Sequence, residues 1–368
     1  MRNLRVFMSS VVIYCRSGFE NDAAAEITFH AAEQGFAGYV KAKPNSGYVI
    51  YECFEATHSD EIIKKVDFKN MVFARQWFAG TLLENMPVED RVGEIKTAAI
   101  DFPLCSELRV ETPDTNEGKE LLTFCKKIST PLKKALEKQN TVLREPKANR
   151  PVMHVMFLTN NTAYVGHSYS YNNSPFFMGI LRLRMPSDAP SRSTLKLDEA
   201  FNVFIPPNEV ESRVQAGMRG VDLGACPGGW TYQLVRRGMF VSAIDNGPMN
   251  DDLMETGQVK HFRADGFKYR PEKRNIQWLV CDMVEKPTKV TNLMIDWAVN
   301  AYAKELIFNL KLPMKKRFDS VYECLTMIRE ELEKYGISYE LQAKHLYHDR
   351  EEITVHLNVT KVPQSLYS

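Results

Sequence analysis

No two of the seven cysteines stand at a C-x-x-C spacing, and their number is odd. Cys15, Cys53, Cys105, Cys125, Cys226, Cys281 and Cys324 are scattered, which speaks against zinc and against a disulfide framework. A reducing, cytoplasmic setting and no bound metal are therefore expected. No apolar run approaches the roughly 18–20 residues of a membrane span, so no membrane partner is expected either. The opening "MRNLRVFMSSVVIYC" has no small-residue cleavage site and is not read as a signal peptide; Met8 is a candidate alternative start. Charge of one sign is also missing. With 47 Lys and Arg against 46 Asp and Glu, the net charge of +1 selects no class of partner.

What is present is length and local contrast. A chain of 368 residues, 44% apolar and 25% charged, has the composition of a soluble globular protein with two or three domains. Between Lys119 and Arg150 the basic residues Lys119, Lys126, Lys127, Lys133, Lys134, Lys138, Arg144, Lys147 and Arg150 face only Glu120, Glu137 and Glu145. That run reads as a solvated helix face or as a contact for a polyanion.

The first segment, residues 1–80, alternates as β-α-β-β-α-β, a ferredoxin-like unit. "SVVIYC" is its first strand, and "GYVKAKPNSGYVIYEC" is a hairpin turning at Asn45-Ser46-Gly47. Ser59 or Asp60 is expected to cap its second helix. In residues 81–172 "ELRVET" is a strand, and two basic helices follow, the second starting at Thr130-Pro131. A hairpin turning at Asn160-Asn161 closes that segment. Residues 173–192, rich in proline and serine, form a linker; from Ser193 to the end the pattern is the strand and helix alternation of a parallel α/β sheet.

Behind the short strand "MRGVDL" lies "GACPGGWT", residues 224–231. It nearly fits a P-loop, since Gly224, Gly229 and Thr231 fall in place, but Trp230 replaces the phosphate-binding lysine. The spacing of Gly224, Gly228 and Gly229 also fails the dinucleotide pattern. These glycines let a ligand approach the backbone, Pro227 stiffens the turn, and the helix that follows points its N-terminus at the ligand. "FVSAID" ends in Asp245, about twenty residues on, where a doubly wound fold binds ribose hydroxyls. Asp265 ends a third strand and Asp282 a fourth. Together these suit an adenosyl ligand without phosphates, and S-adenosylmethionine fits.

Chemistry is expected at the surrounding strand ends. In "LIFNLKLPMKK" Lys311 alternates away from Leu306, Phe308, Leu310 and Leu312. In "EEITVHLNV" Glu352 lies opposite Ile353, Val355, Leu357 and Val359, and joins the same edge if that strand runs antiparallel. "SRSTLKLDEAF" starts a helix carrying Lys196. Two lysines and two acids then converge. Cys281 points away by alternation and Cys226 sits where the loop wants a small residue, so neither is expected to act as a nucleophile.

"SRSTLKLDEAF", "VDLGACPGGW", "LVCDM", "NLKLPMKKRFD" and "HDREEITVHL" resemble the motif series of ribose 2′-O-methyltransferases with a K-D-K-E tetrad. With "YCRSGFE", "GYVIYEC", "FARQWF", "PDTNEGKELL" and "SPFFMGILRL", the chain resembles the RlmM family over nearly its whole length. The resemblance implies a ferredoxin-like and THUMP module at residues 1–80 and 81–172, then a Rossmann-like S-adenosylmethionine-dependent methyltransferase domain at 193–368. It implies 2′-O-methylation of a cytidine in the peptidyl-transferase loop of naked or immature 23S rRNA by a monomer. The tetrad carried over is Lys196, Asp282, Lys311 and Glu352, with Glu351 the one ambiguity. The cofactor set is Ser193, Gly224, Cys226, Pro227, Gly228, Gly229, Asp245, Asp265 and Asp282. Within it the loop and Ser193 take the methionine end, Asp245 the ribose and Asp265 the adenine amine.

Lys311 is the expected base, its pKa lowered by burial and by Lys196 alongside, with Asp282 orienting it and Glu352 positioning Lys196 and the ribose. Two rivals are a non-catalytic RNA-binding assembly factor and a small-molecule methyltransferase. The first has no need of the tetrad, and the second does not explain the basic N-terminal half.

Overall fold

The computed structural model describes residues 9–364, so Met8 and the segment before it lie outside the described residues. The chain divides into two compact units between Leu181 and Arg182.

The first unit runs β1 (Ser10–Tyr14), α1 (Glu20–Glu33), β2 (Gly38–Ala42), β3 (Tyr48–Cys53), α2 (His58–Lys65) and β4 (Gln76–Leu83). It continues through α3 (Arg91–Ala98), β5 (Glu107–Glu111), α4 (Asn116–Lys138), β6 (Pro151–Thr159) and β7 (Thr162–Tyr169). All seven strands join one sheet in the order β2-β3-β1-β4-β7-β6-β5. The first four give the ferredoxin-like order, and β4 crosses residue 80, so the sheet is continuous across that expected boundary.

Two local expectations are corrected. The residue that caps α2 is Thr57, and its side chain makes no capping bond. Asp60 is turned instead toward β7, accepting from Tyr169 Oη at 2.8 Å and lying 3.2 Å from His167 Nε2. The two basic helices are one, α4, with Pro131 inside it. An interior proline costs about 3 kcal/mol. Ile128, Leu132 and Leu136 continue one buried stripe across it, and each contributes roughly 1.5–3 kcal/mol on burial, so packing wins.

The second unit contains α5 (Thr194–Phe204), α6 (Val210–Arg213), β8 (Arg219–Leu223), α7 (Gly229–Arg236), β9 (Phe240–Ile244), α8 (Asp251–Glu255) and β10 (Val259–Phe262). After these come β11 (Ile276–Cys281), α9 (Pro287–Val299), β12 (Ala303–Lys311), α10 (Arg317–Lys334), β13 (Ser338–Lys344) and β14 (Glu352–Lys361). The sheet order is β10-β9-β8-β11-β12-β14-β13. All pairings are parallel except those of β14, which runs antiparallel to both β12 and β13. This is a Rossmann-like sheet with a reversed strand near one edge. Parallel strands are covered on both faces, which is why "IQWLVC" and "AKELIFNLK" carry the apolar runs "WLVC" and "LIF". The order reverses between β8 and β11, and ligands of open α/β sheets sit at the strand ends beside that point. No helix among the described residues is long and apolar enough to cross a membrane.

In the first unit Gly80 and Gly166 face each other across β4 and β7. A Cβ on Gly166 would run into the backbone carbonyl of Ala79, an atom that cannot swing aside. Gly166→Ala is therefore expected to lower stability by about 1–3 kcal/mol, the range of overpacked cores. Urea denaturation checks this, and an unchanged midpoint would show that the two strands part without cost.

Candidate active site

The loop after β8 is built from its neighbours inward. Gly224 (φ 79°) and Gly228 (φ 118°) take left-handed backbone, which glycine adopts without the Cβ penalty. Gly229 has a different constraint, since a Cβ there would collide with the hydroxyls of Ser191 and Ser193. Those hydroxyls lie 2.6 Å apart, so Ser193 stands directly against the loop. The Cys226-Pro227 bond is cis. Asp245 ties the loop down: Cys226 N–H donates to its Oδ2 at 3.0 Å and Gly247 N–H to its Oδ1 at 2.7 Å. Each of its carboxylate oxygens thus retains acceptor capacity for a ligand hydroxyl. Asp265 is exposed in the turn after β10, with Oδ1 accepting from Phe267 N–H at 2.9 Å.

The donor set fits the cofactor read from the sequence. The 224–231 segment holds no lysine or arginine, whereas the acids Asp245 and Asp265 are acceptors for hydroxyl and amine groups. A phosphate would meet carboxylates here without a side-chain cation to balance it, and an uncharged or cationic adenosyl compound would not.

Sequence reasoning missed Asp222. It lies inside β8, 1% exposed, and accepts from Thr231 Oγ1 at 2.7 Å and from the Thr231 backbone N–H. Gly228, the residue that caps α7, has no side chain, so Asp222 takes over that role from beneath. Burial raises its pKa to about 7; the bonds from Thr231 oppose this, and the fields of Asp282 and Asp245 add to it. The sequence signal was an acid within an apolar strand, nine residues before a threonine.

At the far side of the loop four charged side chains come together. Lys196 projects from the first turn of α5, Asp282 follows β11, Lys311 ends β12 and Glu352 begins β14. The antiparallel register sets Lys311 opposite Glu352. Lys196 Nζ lies 3.1 Å from Asp282 Oδ2 and 2.5 Å from Glu352 Oε1. Lys311 Nζ lies 3.0 Å from Asp282 Oδ1 and contacts Glu352 Oε2. Each lysine thus touches both acids, and each acid both lysines. Glu351 is not in the cluster; it is exposed and pairs with Arg317 at 2.7 Å.

The expected depression of the Lys311 pKa is corrected by this geometry. Burial pushes it down, but the carboxylates of Asp282 and Glu352 outweigh burial, so the net shift is upward. Cys281 is fully buried, and burial raises its thiol to about 12, too high for a thiolate nucleophile. Cys226 donates its S–H to the Pro248 carbonyl at 3.0 Å.

Fold and site define a methyltransferase of the FtsJ-like class behind a ferredoxin-like domain. Residues 8–78 match the family model "RlmM ferredoxin-like domain", 90–169 match "Ribosomal RNA large subunit methyltransferase M, N-terminal", and 189–337 match "FtsJ-like methyltransferase". A ribosomal RNA large subunit methyltransferase M from Pseudoalteromonas translucida is 92% identical over 361 residues, covering 98% of this chain and all of the relative. Relatives of the same name from Dickeya chrysanthemi and Proteus mirabilis are 56% and 57% identical, each match covering 95% of this chain and 96% of the relative. The chain belongs to the ribosomal RNA large subunit methyltransferase M family.

Asp222 makes stability depend on pH in a defined direction. Its carboxyl titrates at about 4 in the unfolded chain and at about 7 in the folded one. Between those values the folded state holds the extra proton. Its contribution is therefore complete below about pH 4, falls as pH rises toward 7, and is level above that. Asp222→Asn should remove a decline on the order of a few kcal/mol across this window. Denaturation midpoints of parent and variant at several pH values check this, and parallel profiles would overturn it.

Proposed function

We propose that this protein transfers a methyl group from S-adenosylmethionine to the 2′-hydroxyl of a cytidine ribose in the peptidyl-transferase loop of 23S rRNA. The observation that carries the reading is the closed square of Lys196, Asp282, Lys311 and Glu352 at the strand ends beside the glycine loop. The relatives' name supplies the large-subunit rRNA, and the sequence resemblance supplies the ribose oxygen and the cytidine. The cofactor supplies an electrophilic methyl group when bound. Ser193, Gly224, Cys226, Pro227, Gly228 and Gly229 would hold its methionine end, Asp245 its ribose, Asp265 its adenine, and Asp282 would lie beside the reacting centre.

A ribose hydroxyl is a weak nucleophile and loses its proton as it attacks. Lys311 is the base that takes it. In the free protein Lys311 is held protonated by Asp282 and Glu352, so it first releases that proton to solvent and then accepts the one from the ribose hydroxyl. Asp282 and Glu352 would hold the Lys311 proton less firmly with a cationic cofactor bound beside Asp282. Lys196 stays in contact with both carboxylates when Lys311 is uncharged and balances one of their two charges. Glu352 spans the two lysines and fixes their separation, and holding both reactants in line supplies much of the remaining rate.

Residues 1–80 and 81–172 form the module that grips RNA, 173–192 the linker, and 193–368 the catalytic domain. Lys119, Lys126, Lys127, Lys133, Lys134 and Lys138 are exposed along α4, which suits sequence-independent phosphate contacts. The protein acts as a cytoplasmic monomer on naked or immature rRNA, with the target nucleotide extruded into the site.

The test is transfer from labelled S-adenosylmethionine to protein-free, unmodified 23S rRNA, with parent and Lys311→Ala side by side. A methylated 2′-oxygen cannot attack its own phosphate, so the product appears as one position resistant to alkali. Lys311→Ala is expected to slow transfer by a factor on the order of 10²–10⁴ with cofactor binding retained. Normal turnover in that variant would remove Lys311 as the base. No transfer by the parent, despite RNA and cofactor binding, would favour the assembly-factor reading.

A further inference from the structure

Beneath the four charges the strands continue in polar pairs. Two residues deeper in the register that joins Lys311 to Glu352, Asn309 on β12 faces Thr354 on β14. Both are fully buried, as is Asp349 in the turn before β14. Asn309 Nδ2 donates to Asp282 Oδ1 at 3.0 Å, and a carboxylate accepts only, which fixes the orientation of the amide. Thr354 Oγ1 donates to Asn309 Oδ1 at 2.8 Å. The hydroxyl has a single proton, yet both oxygens of Asp349 also lie 3.0 Å from it. Only one of those two contacts can then be a hydrogen bond, and it requires a protonated Asp349 carboxyl as the donor.

We propose that Asn309, Thr354 and Asp349 are positioning residues for methyl transfer, a one-way chain of buried hydrogen bonds that sets the orientation of Asp282. It runs from the Asp349 carboxyl to the Thr354 hydroxyl, from that hydroxyl to the Asn309 oxygen, and from the Asn309 amide to Asp282 Oδ1. There it converges with the lysines, since Oδ1 also receives Lys311 at 3.0 Å and Oδ2 receives Lys196 at 3.1 Å. An unbuttressed carboxylate could rotate and favour one lysine. Asn309 holds it in the plane that serves both.

The surroundings of Asp349 support a protonated carboxyl. Burial raises its pKa, with the fields of Glu352 on β14 and Glu199 on α5 adding to it. The Leu346 N–H bonded to its Oδ2 and the charge of Lys196 on α5 act the other way, and the net direction is up. His345 in the same turn is bonded through Nε2 to the Arg350 carbonyl. Glu199 also anchors this turn, accepting from Tyr347 and His348 N–H at 2.8 and 2.9 Å. The helix that carries Lys196 and the turn that starts the chain are therefore tied together.

The proposal rests on the tetrad reading, and its test separates the two. Thr354→Val keeps the shape and removes the hydroxyl. Its kcat should fall roughly tenfold to a hundredfold, the effect of a misplacement on the order of an ångström, with KM for cofactor and RNA within about twofold of parent. Thr354→Ser and Asp349→Asn, each made singly in the parent, keep a donor in place and should retain most of the parental kcat. If Thr354→Val fails to fold, Asn309→Ser asks the same question; it is smaller than the residue it replaces and cannot reach both neighbours. Parental kcat in Thr354→Val or Asn309→Ser, or a rise in KM alone, overturns the chain. So does an equal loss in Thr354→Ser, which would mark a packing defect. Lys311→Ala runs alongside: if it is inactive while Thr354→Val is normal, the chain fails alone. If Lys311→Ala is active, or the parent transfers nothing, the tetrad reading fails and takes the chain with it.

Discussion

Two cations and two anions, each touching both of the other kind, are stable as a set and costly in part. Removing one member of a buried pair leaves a charge in a poor solvent, at about 3–5 kcal/mol. Lys196, Asp282, Lys311 and Glu352 range from 6% to 24% exposed, so water screens them little. Much of the second unit is arranged to keep these four together. The reversed strand β14 is the decisive device, because only an antiparallel neighbour can bring its first residue to the ends of the parallel strands. Glu199 then ties α5 to the turn before β14, which fixes Lys196 against Glu352.

The same reversal sets what lies below the site. One face of β14 presents Ile353, Val355, Leu357 and Val359, and the other Glu352, Thr354, His356 and Asn358, yet both faces are buried. Polar residues there must find partners: Thr354 meets Asn309 directly across the register, and His356 reaches Glu305 diagonally at 2.7 Å. Arg213 closes the lower end with paired contacts to Glu305 at 2.7 Å. Each residue of the polar stripe thus has a partner on β12 or a flanking segment, although His356 Nδ1 and Asn358 Oδ1 are left without one among the described residues, and the apolar face supplies the burial energy.

Much of this was legible in the sequence because it is written in periods of two. Alternation in "LIFNLKL" and "EEITVHLNV" separates Lys311 and Glu352 from their apolar neighbours, and it settles Glu352 over Glu351, which pairs with Arg317 instead. Long-range consequences were not legible. Alternation marks Thr354 and Asn309 as polar, but only the register of two distant strands shows that they meet. Pro131 reads locally as a helix start, and tertiary burial of Ile128 and Leu136 overrides it. Asp60 reads as a cap because its competing partners lie more than a hundred residues away. The upward direction of the Lys311 shift is not legible in the sequence for a related reason. A second lysine suggests repulsion, but two carboxylates in contact outweigh it, and contact is a property of the fold.

Asp222 and Asp349 extend the charge argument beyond the square. Each is buried and has a raised pKa, Asp222 partly through Asp282 and Asp349 partly through Glu352. Four ionised acids against two lysines would leave two negative charges uncompensated inside the unit. The raised pKa values of the outer two reduce that excess: Asp349 becomes a hydrogen-bond donor, and Asp222, at about 7, sheds its charge only in part near neutral pH. Asp222 can then support the start of α7 beneath the glycine loop, and Asp349 can orient the amide behind Asp282. The acids that anchor the site and those that carry charge within it are thus distinguished by contact with lysine. Asp282 and Glu352 touch both lysines, whereas burial without such contact governs the other two.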